Sequence, residues 1–167
     1  MNIIIRPETG ADHDAIEALT MAAFLNAPHT DHNEQRIVRD LRQAGALSLS
    51  LVAEQERRVV GHLCFSPVTI SDGCLHWYGL GPISVSPELQ GKGLGSRLMD
   101  AGLAELKGMG AAGCVVLGEP GFYGRFGFVS EPGLTLPGVL AEYFMARSFG
   151  AAMPRGEVCY HPAFVQA

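Results

Sequence analysis

Three alternating glycines, Gly91, Gly93 and Gly95, form the most chemically suggestive segment of the chain. Glycine allows positive φ and lets a ligand approach the backbone closely. A helix is predicted directly after this loop, and the free N–H groups and the dipole at a helix N-terminus favour an anion. The loop therefore predicts a diphosphate site, with Lys92 and Arg97 available to add positive charge. The alternative without a ligand is a glycine turn that only lets the helix pack tightly against its strand.

Other nucleotide-binding motifs fit this loop less well. A P-loop requires Ser or Thr directly after its lysine, but Gly93 follows Lys92. The third glycine of the dinucleotide fingerprint is missing at Ser96, and residues 86–90 separate the loop from the preceding strand. Glu119 follows the next predicted strand, near the position of a ribose-binding acid. A dinucleotide-binding domain therefore remains a weak alternative.

Two separated motifs resemble those of the GNAT superfamily of N-acetyltransferases. The run Gln90-Gly91-Lys92-Gly93-Leu94-Gly95 is similar to the family's acetyl-coenzyme A signature, which is Gln or Arg, two residues, Gly, one residue, then Gly or Ala. It follows Ile83-Ser84-Val85-Ser86-Pro87, which resembles the Val-x-Pro-like strand end before that signature. Downstream, Phe122-Tyr123-Gly124-Arg125-Phe126-Gly127-Phe128 resembles the family's Tyr-x-x-x-Gly-Phe element. The resemblance covers nearly the whole chain, and residues 117–128 resemble the YhbS-like subgroup in particular.

The resemblance implies direct transfer of an acetyl group from acetyl-coenzyme A (acetyl-CoA) to a primary amine. The cofactor would lie where the fourth and fifth strands splay apart, and Pro82 would mark the bend in the fourth strand. A backbone N–H near Ile83 or Val85 would face the developing oxyanion. The cofactor-binding residues implied in this way are Ile83, Ser84, Val85, Gln90, Gly91, Lys92, Gly93, Leu94, Gly95 and Ser96.

Direct transfer requires a neutral amine and benefits from an acid that protonates the departing thiolate. By resemblance Tyr123 is that catalytic acid, four residues before Gly127, and a tyrosine with an ordinary pKa of about 10 is protonated at neutral pH. Family members often use a carboxylate on the fourth strand, or a water chain, as the base. Residues 77–85 contain no acidic residue, so His76 and Glu34 stay as alternatives for the base.

Several features of the site are left open by the sequence. Arg125 suits a phosphate contact and a surface ion pair equally well. The spacing of His29, His32 and Glu34 matches no common metal site, so we expect no metal. The missing base keeps a second function open, that of a non-catalytic acyl-CoA-binding or sensing module.

The acceptor expected from the resemblance is a small-molecule or peptide amine. Its groove would be built from the first two helices, residues 25–33 and the segment after Pro137. No charge pattern there selects one class of acceptor. The oligomeric state is equally open, a homodimer included.

The composition excludes several classes of protein. The chain has 167 residues, of which 47% are hydrophobic and 17% charged, which suits a globular core and not a disordered segment. The net charge is −5 and the basic residues are scattered, so we expect no nucleic-acid partner. Polar residues, prolines and glycines interrupt the most apolar stretch, residues 61–87, so we expect no membrane span. Four cysteines without a CxxC spacing favour a cytoplasmic location, and we expect residues 1–167 to form a single domain.

The elements that position these residues follow from periodicity. Apolar residues at helical spacing predict one helix around Ile16 and Leu19, introduced by the capping box of Thr9 and Asp12, and a second helix ending at Gly45. A third helix runs from the glycine loop to about residue 108. The predicted strands are residues 2–6, 46–54, 59–70, 75–85 and 113–118. With the resemblance, they predict a mixed α+β, GNAT-like fold whose mostly antiparallel central sheet has one βαβ crossover, splayed fourth and fifth strands, and helices on both faces.

Overall fold

The computed structural model describes residues 2–27 and 30–165. The strands are β1 Ile3–Pro7, β2 Leu49–Gln55, β3 Arg58–Pro67, β4 Thr69–Ile70, β5 Trp77–Val85, β6 Gly113–Leu117, β7 Leu134–Thr135, β8 Phe144–Ser148 and β9 Gly156–Cys159. The α-helices are α1 His13–Phe24, α2 Glu34–Gln43, α3 Leu94–Gly108 and α4 Pro120–Tyr123. Within these described residues, every helix is too short or too polar to span a lipid bilayer.

The main sheet has six strands in the order β1-β2-β3-β5-β6-β8. Every neighbouring pair is antiparallel except β5 and β6, which are parallel and are connected through α3. A parallel pair needs such a crossover because its strands cannot be joined by a tight hairpin. The predicted mixed fold with one βαβ crossover is therefore confirmed, and the strand predicted at residues 2–6 is β1, at one edge of the sheet.

The fourth and fifth strands of the prediction are β5 and β6, and they separate after a short paired segment. Their pairing runs only from Trp77 opposite Gly113 to Gly79 opposite Val115. On its other edge β5 shifts register against β3 where Gly81 and Pro82 face Cys64, as the bend predicted at Pro82 requires. Proline has no N–H to give to a ladder, which is why pairing is irregular there. The splay of the two strands is thus confirmed.

Helices cover both faces of the main sheet, because β3 alternates its side chains between them. On one face, Cys64 packs with Ile16 of α1 and Val38 of α2. On the other face, Leu63 and Phe65 pack beneath α3 in the largest core cluster. Gly102 lets α3 approach this closely, since a Cβ there would lie 2.6 Å from Leu63 Cδ2.

Two expectations about the strands are corrected by the structure. The predicted strand at residues 59–70 divides at Pro67, because the chain leaves the main sheet there and Thr69–Ile70 joins a second sheet. That sheet has the order β4-β9-β7, and its strands β7 and β9 are not among the strands predicted from the sequence. The sequence pattern also missed β8, which completes the main sheet by pairing antiparallel with β6.

The start of α1 is fixed by one carboxylate. Asp12 Oδ2 accepts hydrogen bonds from the Thr9 N–H at 2.7 Å and from Arg6 Nη1 at 2.8 Å. Arg6 also donates to Glu54 Oε1 of β2 at 2.8 Å. The hydrogen bonds from Arg6 hold the pKa of Asp12 well below its usual range. The predicted capping box is therefore confirmed, and it links α1 to the edge of the sheet.

Candidate active site

A groove of about 640 Å³ opens where β5 and β6 diverge, and we name it the loop groove. It is bounded by the end of β5, the glycine loop, the first turn of α3 and the segment through α4. The predicted residues that line it are Ile83, Val85, Gln90, Gly91, Gly93, Gly95 and Ser96. The remaining wall comes from Leu89, Gly118, Glu119, Phe122, Tyr123 and Arg125.

The free edge of β5 faces this groove. The Ser86 N–H donates to Val60 O at 2.9 Å, and Ser84 lies opposite His62 in the same register, so these even-numbered residues bond to β3. Backbone groups alternate sides along a strand. The N–H groups of Ile83 and Val85 therefore point away from β3, toward the gap left by β6.

The glycine loop adopts backbone conformations that other residues reach only with strain. Gly91 and Gly93 have φ of 76° and 87°, and Gly93 is the N-cap residue of α3. The Gln90 side chain donates from Nε2 to Val85 O at 3.0 Å, which ties the loop to the end of β5. Gly95 and Ser96 then form the groove wall in the first turn, where helix N–H groups have no intrahelical acceptor. This arrangement suits an anion.

Not every cation predicted for the anion site lies in the groove. Arg97 donates from Nη2 to Ile3 O at 3.0 Å, so its guanidinium is held at the edge strand and not at the loop groove. Lys92 is exposed on the loop. Arg125 lines the groove, with its guanidinium carbon 4.9 Å from the centroid of the Phe122 ring. Of these three cations, Arg125 is therefore the one in the wall of the loop groove.

Two of the predicted cofactor residues turn their side chains away from the loop groove. Leu94 is buried in the core beneath α3. The Ser84 hydroxyl is buried without a hydrogen-bond partner, and its strand neighbours alternate toward the opposite face. Leu94 can therefore contact a ligand in the groove only through its backbone, whereas the backbone N–H and C=O of Ser84 face β3 in the register with His62.

Tyr123 stands at the end of α4 in an aromatic cluster. Its ring centroid lies 5.0 Å from that of Phe122 and 6.1 Å from that of Phe128, both edge-on. Burial raises the pKa of Tyr123 to about 12. The hydroxyl therefore stays protonated at neutral pH and can act as a proton donor.

A larger cavity of about 1060 Å³ lies beyond Tyr123, and we name it the apolar cavity. Its walls come from the end of α1, the start of α2, β4, the bulged part of β5 and the chain around β9. Ile83 and Tyr123 line both this cavity and the loop groove. The two spaces therefore meet at a residue with a free backbone N–H and at a protonated phenol.

The two base candidates have different positions. Glu34 lines the apolar cavity together with Tyr123. His76 precedes β5 at its opposite end, roughly 23 Å along the strand from Ile83. Among the residues that the structure describes, no group of three His, Cys, Asp or Glu side chains could hold a metal ion, and His29 lies outside the described residues.

The apolar cavity coincides in part with the acceptor groove expected from the sequence. The first two helices and the segment after Pro137 both contribute to its wall, for example through Phe24, Ile37 and Tyr160, whereas none of the described residues within 25–33 does. The sequence did not predict the wall from Ile70 in β4 and from Leu117 at the end of β6. Those residues are apolar or aromatic and lie in short strands, so their pattern resembles that of an ordinary core.

Comparisons with known proteins agree with this geometry. The profile described as the acetyltransferase (GNAT) family matches residues 13–128. The uncharacterized N-acetyltransferase YhbS of Escherichia coli (strain K12) is 39% identical over 127 residues, which are 75% of this chain and 73% of that protein. The crystal structure of a GNAT family acetyltransferase from Brucella melitensis in complex with acetyl-CoA has 46% identity and a TM-score of 0.88, covering 98% of this chain and 99% of that one. The structure of YhbS from Escherichia coli in complex with CoA has 34% identity and a TM-score of 0.87, covering 98% and 92%.

The dinucleotide alternative is excluded by the sheet, which is mostly antiparallel, whereas that fold requires a parallel, doubly wound sheet. The family profile, the sequence relative and the solved structures instead confirm the resemblance stated from the two motifs. The chain belongs to the GNAT family of acetyltransferases and is similar to YhbS in both sequence and structure.

Proposed function

We propose that the chain transfers the acetyl group of acetyl-CoA directly to a primary amine. The observation that carries this proposal is the junction of the loop groove and the apolar cavity at Ile83 and Tyr123. A thioester in the groove and an amine in the cavity would meet there. The acetyl-CoA and CoA in the Brucella and Escherichia coli structures support the choice of co-substrate.

In the proposed reaction, a C–N bond forms and a C–S bond breaks. The amine nitrogen attacks the thioester carbonyl carbon, and the carbonyl electrons move onto oxygen. The N–H groups of Ile83 and Val85, which point into the gap beside β6, would donate to that oxyanion. Collapse of the intermediate then releases CoA as a thiolate, and the amine proton passes to Glu34 or to water.

Tyr123 would protonate the departing thiolate. Its pKa of about 12 keeps the proton on the phenol until the sulfur becomes negative. The thiolate would leave into the same partly buried surroundings, and burial raises the pKa of a thiol as it raises that of a phenol. The proton transfer is therefore better matched than the raised pKa of Tyr123 alone suggests.

The competing function is a non-catalytic acyl-CoA sensor. Such a sensor needs room only for its acyl-CoA, whereas a transferase also needs space for an acceptor, and the apolar cavity beside Tyr123 offers that space. The test measures release of CoA thiol from acetyl-CoA with primary amines and lysine peptides, and identifies the product by mass. Amine-dependent release with equimolar N-acetyl product supports the transferase. Tight cofactor binding without acceleration by any amine supports the sensor.

A further inference from the structure

The apolar cavity has a composition that selects among amines. Apolar side chains from distant elements dominate its wall, among them Phe24, Ile37, Leu80, Leu117 and Phe164. Its volume of about 1060 Å³ lies just above the roughly 300–1,000 Å³ of pockets that hold drug-sized ligands. An occupant that fills this space must therefore carry a sizeable apolar body.

The charges on the cavity wall are of one sign. Glu34 and Glu157 line it, and among the described residues no lysine, arginine or histidine does. A carboxylate or phosphate on the occupant would be buried without a cation to pair with it, and an unpaired buried charge is strongly unfavourable. The wall therefore disfavours free amino acids and nucleotides as acceptors.

Glu34 offers a vacant acceptor atom to the occupant. Its Oε2 accepts a hydrogen bond from the Thr30 hydroxyl, which fixes the carboxylate, while its Oε1 is buried with no hydrogen-bond partner. A buried polar atom is ordinarily paired, and the missing donor here faces a ligand-sized space. An ammonium group supplies such a donor together with a compensating charge.

The Tyr160 hydroxyl is a second buried polar group without a partner on the same wall. Burial raises its pKa, so it stays neutral and can still accept a hydrogen bond from an N–H group. The cavity thus presents two unpaired acceptors within an apolar lining. A single amino group on an apolar body matches that pattern, because Glu157, the other acid of the wall, is exposed to solvent and only Glu34 offers a buried, unpaired carboxylate oxygen.

We infer that the acceptor is a primary monoamine on an apolar aliphatic or aromatic body without a carboxylate or phosphate, and that Glu34 binds its amino group. This inference rests on the proposed function. It narrows the acceptor from amines in general to hydrophobic amines.

The test compares matched acceptors at saturating acetyl-CoA, with thiol release and product mass as readouts. The pairs are 2-phenylethylamine against phenylalanine, which adds a carboxylate to the same body, and octylamine against spermidine, which adds further ammonium groups. We expect kcat/KM to be at least about 100-fold higher for the first member of each pair, because phenylalanine adds a carboxylate that meets no cation and spermidine adds ammonium groups for which the wall has no second buried, unpaired carboxylate oxygen.

The Glu34→Gln variant tests the residue and keeps the oxygen that Thr30 contacts. We expect it to raise the KM for octylamine roughly 10- to 100-fold, the effect of losing a hydrogen bond to a charged group, with an unchanged Kd for CoA. Asp31→Asn makes the same charge change three residues away on an exposed loop and is the control.

The possible outcomes distinguish a failure of the proposed acetyl transfer from a failure of the proposed apolar acceptor. If no amine accelerates thiol release although CoA binds, the transferase proposal itself fails. If transfer occurs but phenylalanine, spermidine or a lysine peptide is preferred, the apolar acceptor is wrong and the transferase stands. Preference for octanoyl-CoA with methylamine would show that the cavity holds an acyl chain instead. An unchanged octylamine KM in Glu34→Gln would remove the role of Glu34.

Discussion

The ring of Tyr123 fills the space beside the Gly118 α-carbon so completely that a Cβ at Gly118 would overlap it. Gly118 directly follows β6, and its N–H donates to Tyr143 O at 2.9 Å, so its position is fixed by the sheet. Phe122 and Phe128 enclose the ring from other sides. The phenol therefore has a defined place at the junction of the loop groove and the apolar cavity, as a proton donor requires.

Tyr123→Phe removes the proposed acid and keeps the aromatic packing. We expect turnover to fall by about 10²–10⁴, the usual contribution of a positioned acid, while the Kd for CoA stays nearly unchanged. Steady-state thiol release and calorimetric binding of CoA measure the two quantities. Tyr143→Phe, which removes a hydroxyl outside both cavities, is the control. Equal turnover in the Tyr123 variant and the native enzyme would show that the hydroxyl is only structural.

Gly93→Glu should abolish CoA binding. The residue has a φ of 87°, and its side chain would enter open space in the loop groove, where its carboxylate would repel a phosphate. Gly45→Glu is a closely matched control, because Gly45 has a φ of 71° and open surroundings but lies at the end of α2. Calorimetry should show loss of CoA binding in the first variant alone. Comparable affinity in both would contradict an anion site at this loop.

Replacing either of two glycines in α3 by alanine should change the free energy of unfolding, in opposite directions for the two positions. At Gly102 a Cβ would lie 2.6 Å from Leu63 Cδ2 and 2.9 Å from Phe65 Cε1, so Gly102→Ala should lower the free energy of unfolding by about 1–3 kcal/mol. At Gly108 no atom lies within 4 Å of a Cβ, so Gly108→Ala should raise it by about 0.4–1 kcal/mol. Urea unfolding checks both. If Gly102→Ala stabilised the protein, α3 would have to lie farther from Leu63 and Phe65 than the contact distances above indicate.

Asp12→Asn should lower the free energy of unfolding at pH 7 by about 1–2 kcal/mol, because Thr9 and Arg6 lose their charged acceptor. The pKa of Asp12 is lower in the folded than in the unfolded chain. Its stabilising contribution is therefore complete above the unfolded value near 3.9 and is lost as the pH falls from there through the folded value.

Urea unfolding of both proteins between pH 7 and pH 2 tests this pH dependence. The difference between native protein and Asp12→Asn should be constant down to about pH 4 and shrink below it. Asp100→Asn, at an exposed position of α3, should show little effect at any pH. A difference that persists undiminished at pH 2 would contradict the ion pair as its source.

The sequence predicted best what depends on neighbouring residues. The glycine loop, the helix after it and the capping box of Thr9 and Asp12 are local patterns, and the structure contains all of them. It failed where a residue's partner is distant in the chain. Arg97 follows the loop directly, yet its guanidinium binds Ile3 O, because the direction of a helix face is set by what packs against it.

The apolar cavity shows the same limit. Its wall combines Phe24, Leu117 and Tyr160, which come from separate elements that meet only in the folded chain. Each is hydrophobic enough to pass for a core residue, and nothing in its spacing marks it as a wall of a binding space. The sequence named Glu34 only as an alternative for the base, and the proposal that it binds an amino group depends on its buried, unpaired oxygen in the folded chain.

The short seam between β5 and β6 has a mechanical consequence. Three facing residue pairs, from Trp77–Gly113 to Gly79–Val115, connect strands β1, β2, β3 and β5 of the main sheet to β6 and β8. CoA bound in the loop groove beyond these pairs would contact both halves of the sheet and would limit their movement relative to each other. Binding of CoA would then make the main sheet more rigid, and the enzyme without CoA would be the more flexible form.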